Sequence, residues 1–84
     1  MLTPQMRVHV CWFEKAKLKP GQPMANESDA RLAVLARFPN AAFSKRGPAL
    51  GQQGLQPGVI RPCDEMITAT SDGTVVAEIW FTCA

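Results

Sequence analysis

The one histidine and three cysteines of this sequence, His9, Cys11, Cys63 and Cys83, are of types that bind zinc-like metals or act as nucleophile and base. Three thiolates and an imidazole make a full ligand set for tetrahedral zinc. Structural zinc sites are built on a Cys-x₂₋₄-Cys knuckle, in which one tight turn delivers two sulfurs, and no such pair occurs here. No metal and no other cofactor is therefore expected. A catalytic Cys–His pair is equally disfavoured, because His9 and Cys11 lie two apart in a segment that alternates like a strand. Their backbones are then about 7 Å apart and their side chains run side by side rather than converging. The residues that lead into the helix, Gln22-Pro23-Met24-Ala25-Asn26, lack the glycines that cradle a phosphate. Glu65 and Glu78 approach each other across a hairpin, but on a solvated edge with no pocket to shift a carboxyl. The expectation is a protein without catalytic residues. An odd number of cysteines with no close pair also argues against a disulfide framework, so all three are expected as free thiols in a reducing, cytoplasmic setting.

Around these residues the chain of 84, with 46% apolar and 19% charged side chains, allows one small domain spanning 1–84. No apolar run of about 18 residues exists to span a membrane, and the N-terminus lacks the basic and apolar stretches of a secretory signal. Residues 6–14 alternate, with Val8, Val10 and Trp12 on one face and Arg7, His9, Cys11 and Phe13 on the other. Residues 15–24 lose that period, contain Pro20, Gly21 and Pro23, and read as a loop. A helix follows, capped by Asn26 with Asp29 three residues on, carrying acids in its first turn and stopped by Pro39. Its inward arc is expected to be Leu32, Val34, Leu35 and Phe38, with Ala30, Ala33 and Arg37 opposite. Residues 42–46 read as a short edge strand with Phe43 inward. Residues 47–62, rich in Gly, Pro and Gln, read as one long flexible loop. Residues 64–83 form a hairpin around Ser71-Asp72-Gly73. A three-residue loop there pairs Ala69 with Val75 and gathers Ile67, Ala69, Val75, Ala77, Ile79 and Phe81 on one face. A two-residue turn mixes polar and apolar residues on both faces, so the three-residue loop is preferred.

The fold class is thus α+β: a single β-α-β-β domain, with one helix packed on one face of a small, mainly antiparallel sheet. One helix covers one face, so the other is expected to show Arg7, His9, Phe13, Met66, Glu78 and Trp80, a mixture typical of protein-binding hot spots. The net charge of +2 is mild. The basic residues Lys15, Lys17, Lys19, Lys45 and Arg46 would steer approach to an acidic partner. The expected partner is a protein or ribonucleoprotein complex. Direct nucleic-acid binding by a basic, aromatic sheet face is the alternative, and a homodimer through an open strand edge is another.

Two resemblances bear on this reading. The stretch Glu27-Ser28-Asp29-Ala30 through Ala36-Arg37-Phe38-Pro39-Asn40-Ala41, with Asp72-Gly73-Thr74-Val75-Val76, resembles a PepSY domain, a family associated with restraining peptidases. The whole-chain plan is similar to that of small phage-encoded anti-CRISPR proteins. That resemblance implies a non-enzymatic inhibitor that occupies a surface of a Cas complex in the host cytoplasm, and it assigns no individual residue a role.

Overall fold

A computed structural model describes residues 6–19, 21–49 and 61–83. In chain order the elements are β1 (Arg7–Glu14), β2 (Lys17–Leu18), β3 (Gln22–Met24), α1 (Glu27–Arg37), β4 (Ala42–Phe43), β5 (Gly47–Pro48), β6 (Glu65–Ser71) and β7 (Thr74–Thr82). They form a seven-stranded sheet ordered β2-β1-β7-β6-β4, with β3 also on β1 and β5 also on β6. Every pairing among the described residues is antiparallel. One helix on a mainly antiparallel sheet is the α+β class expected. The simple β-α-β-β order is not what is seen, because four short strands join the three long ones. No helix among the described residues is long and apolar enough to cross a membrane.

The span 15–24 departs most from a loop. Lys15 and Ala16 both adopt positive φ, 51° and 63°, and so turn the chain tightly enough to pair Glu14 with Lys17. The chain then runs back along β1, and Val8, His9 and Val10 face Met24, Pro23 and Gln22. Lys and Ala give no turn signal of the Asn-Gly kind, which hides this hairpin in the sequence. Both outer edges carry a proline in the ladder, Pro23 opposite His9 and Pro48 opposite Glu65. A proline there withholds an amide from any incoming strand.

The second hairpin corrects the expected register. Asp72 and Gly73 both have positive φ, 52° and 79°, so the turn has two residues and pairs Ser71 with Thr74 and Thr70 with Val75. A bulge then shifts the ladder, so that Ala69 meets Ala77 and Ile67 meets Ile79. The extra residue is Val76, which packs toward the main core, while Val75 turns to the opposite face at 37% exposure. The bulge separates the turn type from the register, and the apolar face survives with a turn that would otherwise scramble it.

The helix begins where expected: Asn26 Oδ1 accepts from the Asp29 amide at 2.9 Å. It is rotated from the expected arc, however. Ala30 and Val34 are fully buried, with Ala33 and Phe38 packed beside them, and Leu32 is 63% exposed. Small Ala side chains let the helix lie close over Val8, Val10, Trp12, Ile67, Ala69, Ala77, Ile79 and Phe81. Guanidinium groups cover rings at the margins of this layer. Arg37 lies 4.2 Å from the Trp12 ring centre, Arg31 5.0 Å from Phe43 and Arg46 3.9 Å from Phe81.

Candidate functional site

Alternation along the strands sends His9, Cys11 and Phe13 of β1 to the face away from α1, where Cys11 lies opposite Glu78 and His9 opposite Trp80. Trp80 in turn lies opposite Met66, and Glu78 opposite Thr68. This face was expected to be bare, and its centre is not. Trp80 is 1% exposed and forms a second buried cluster with Cys11 and Ala49, against which Leu18 and Met66 pack. Ala49 is held there as β5 pairs with β6, its amide donating to the Asp64 carbonyl at 3.1 Å. Trp80 and Glu78 are therefore buried residues and not the exposed contact anchors expected of them. Of the loop read over 47–62, residues 50–60 lie outside the described residues, and its first residues contribute a strand and this cover.

Beside the Trp80 cluster the face opens into a groove of about 390 Å³. Phe13, Met66 and Val75 supply its apolar walls, Ser44, Lys45 and Thr68 its polar rim, and Glu78 its single carboxyl. The rim is shaped by Ser44. Its amide donates to the Thr68 carbonyl at 2.9 Å, and its Oγ accepts from the Thr68 amide at 2.9 Å in place of a backbone carbonyl. The chain thus leaves the ladder at Lys45 and rejoins it at β5. Glu78 is 5% exposed, and its Oε1 accepts from Trp80 Nε1 at 2.8 Å. Burial raises the Glu78 pKa above the ordinary carboxyl value, and the Trp80 hydrogen bond offsets part of that rise. Burial, with the Glu78 charge adding to it, pushes the Cys11 thiol up to about 12. Cys11 is thus a neutral small hydrophobe at physiological pH.

Of the residues singled out in the sequence, Phe13, Met66 and Glu78 meet in the groove. Arg7 and His9 lie toward the other end of β1, opposite Thr82 and Trp80. His9 Nδ1 is buried without a partner among the described residues, and burial followed by the nearby Arg7 charge lowers the His9 pKa. Glu65 does not approach Glu78: it faces Phe81 and is bound by Arg46 at 2.9 Å. Arg46 is consequently no free steering charge. It bridges Glu65 and Glu27 and stacks on Phe81. Lys15, Lys17 and Lys19 are exposed around the first hairpin, at the opposite edge of the sheet from Lys45. Ser44 and Val75 were missed as lining residues, Val75 because only the bulge turns it to this side.

The cysteines also require correction. Cys63 and Cys83 form a disulfide with Cα atoms 5.9 Å apart, well within bridging distance. They lie 20 positions apart in sequence, and β6 and β7 bring the two ends together. A spacing this long gives no local signal, so only the pairing of the strands reveals the bridge. Cys11 alone stays a free thiol.

The described residues thus define a small α+β domain with one grooved face opposite its helix. Compared with protein-family models, curated proteins and solved structures, the chain matches none.

Proposed function

We propose that this protein is a non-enzymatic binding module that acts by covering part of the surface of a larger protein or ribonucleoprotein assembly, docking through the Phe13–Met66–Val75 groove. The observation that supports the reading is the groove itself. It sets part-exposed apolar side chains around one carboxyl, one ammonium and two hydroxyls, a composition suited to recognition. Cys11 beside it is held as a thiol, which leaves it unfit for nucleophilic attack near neutrality. Prolines at both sheet edges disfavour the homodimer by strand addition. An inhibitor of the anti-CRISPR type is one form this activity would take. The Cys63–Cys83 bridge, by contrast, favours an oxidising compartment over the cytoplasm.

The test is affinity capture with the wild type, Val75→Asp and Leu32→Asp, each checked for an unchanged fold by circular dichroism. Val75→Asp places a charge in the groove and should weaken the captured complex ~10-fold or more. Leu32→Asp, on the exposed helix face, should leave it intact, and the opposite pattern refutes the groove as the docking surface. Anisotropy titrations with labelled single-stranded DNA and RNA at roughly 50 and 200 mM salt test the alternative. Tight binding that falls steeply with salt would replace this reading with direct nucleic-acid binding.

A further inference from the structure

Cys63, Asp64 and Cys83 bring two sulfurs and a carboxylate oxygen within 4.8 Å of one another. We propose that, once the Cys63–Cys83 bridge is reduced, these three side chains bind a thiophilic divalent cation of the zinc type, so that one point of the fold is stapled by a disulfide or by a metal. The geometry points to this because Asp64 is already placed as a ligand. Its carboxylate is 3% exposed, and Oδ1 lies 3.5 Å from Cys83 Sγ. Bonds of about 2.3 Å to sulfur and about 2.1 Å to oxygen at a tetrahedral angle separate the two ligand atoms by about 3.6 Å. The carboxylate is fixed from behind: Oδ2 accepts from the Arg61 amide at 2.9 Å, and the Asp64 amide donates to the Arg61 carbonyl at 2.9 Å. A disulfide holds its sulfurs about 2.05 Å apart, whereas a shared zinc needs about 3.8 Å. Cys63 is exposed, so after reduction no buried contact of its own opposes that separation. The Arg61 guanidinium, 3.6 Å from Asp64 and 49% exposed, supplies the positive charge that the cation would replace. With three protein ligands, the fourth position is left to water.

The exchange balances with a dithiol as reductant. Its thiolate attacks the exposed Cys63 Sγ, the Cys63–Cys83 bond breaks, and Cys83 leaves as a thiolate. The second thiol of the reductant then displaces Cys63 and closes its own disulfide, so two electrons pass to the protein. The cation binds both thiolates, and two protons are released to solvent.

The experiment uses the full chain, reduced with a phosphine, desalted without oxygen and titrated with Co²⁺ as the spectroscopic probe. The expected result is a thiolate-to-cobalt charge-transfer band saturating at one equivalent, bleached by Zn²⁺, with zinc also raising the melting temperature of the reduced chain. Cys11→Ser should keep the band and Cys63→Ser should lose it. Asp64→Asn should weaken cobalt binding ~10-fold or more. Mass-mapped iodoacetamide labelling of the wild type needs no variant, and in it zinc should protect both Cys63 and Cys83. No band with excess cobalt, a band that survives Cys63→Ser, or labelling of both cysteines undiminished by zinc would overturn the site.

Discussion

Glu78 and Trp80 are neighbours on one face of β7, joined by a 2.8 Å hydrogen bond, and each sets the cost of changing the other. Trp80 is the largest fully buried side chain. Trp80→Ala should therefore cost ~3–5 kcal/mol in urea unfolding, from the cavity and from a buried carboxyl left without its donor. A variant that stayed as stable as the wild type would show that this second cluster carries no load. Glu78 gives stability a pH dependence of unusual sign. Its folded pKa lies above that of the unfolded chain, so the native state holds the proton longer. The resulting stability is fully present below the ordinary glutamate pKa and is lost as pH rises through the raised one. Glu78→Gln keeps an oxygen for Trp80 Nε1 and removes the charge. It should equal or exceed the wild type near pH 7 and flatten the stability profile on the acid side of neutrality. Urea midpoints measured from about pH 4 to pH 8 read this directly, and an unchanged slope would place the pH dependence elsewhere.

Elements with local signals were readable, and those set by tertiary contact were not. The helix ends needed only Asn26, Asp29 and Pro39, and the Asn26 cap is in place. Its buried face depended on how closely Ala30 and Ala33 approach the sheet, which side-chain hydrophobicity does not encode, so Leu32 was misplaced. The apolar face of the β6–β7 hairpin was legible, apart from the exchange of Val75 for Val76 that the bulge imposes. For the candidate site, Phe13, Met66 and Glu78 were found from alternation alone, but the cover over Trp80 came from residues that carry no period. The first hairpin was hidden because Lys15 and Ala16 occupy left-handed backbone positions that glycine and asparagine prefer. That mismatch is correctable. Lys15→Asn with Ala16→Gly should raise stability by ~1 kcal/mol, scored by thermal or urea unfolding, since the strain is relieved without touching a buried contact. Destabilisation by the pair would mean that the turn does not have this conformation.

At the scale of the molecule, the helix is too short for the sheet it serves. Eleven residues span about 16 Å, whereas the nine of β7 span about 30 Å. Two devices make up the difference. The Cys63–Cys83 bridge ties the chain before β6 to the end of β7, and closing a loop of that length removes about 3 kcal/mol of unfolded-state entropy on the chain-entropy model. The other is the set of arginines over Trp12, Phe43 and Phe81, of which Arg46 is the most connected. Its guanidinium lies 3.9 Å from the Phe81 ring centre and contacts Glu65 at 2.9 Å and Glu27 at 3.5 Å. These contributions respond differently to salt. The ion pairs join side chains about one-third exposed and are screened when the Debye length falls to about 3 Å at 1 M salt. The stacked stem and ring exclude water whatever the ionic strength. Arg46→Ala should therefore cost ~1–2 kcal/mol, with most of the loss persisting at about 1 M sodium chloride, while Arg46→Met recovers roughly half. Urea unfolding of the three proteins at low and high salt separates the contributions. If the cost of Arg46→Ala vanished at high salt, Arg46 would stabilise the fold as a charge in an ion network, and its stacking on Phe81 would contribute little.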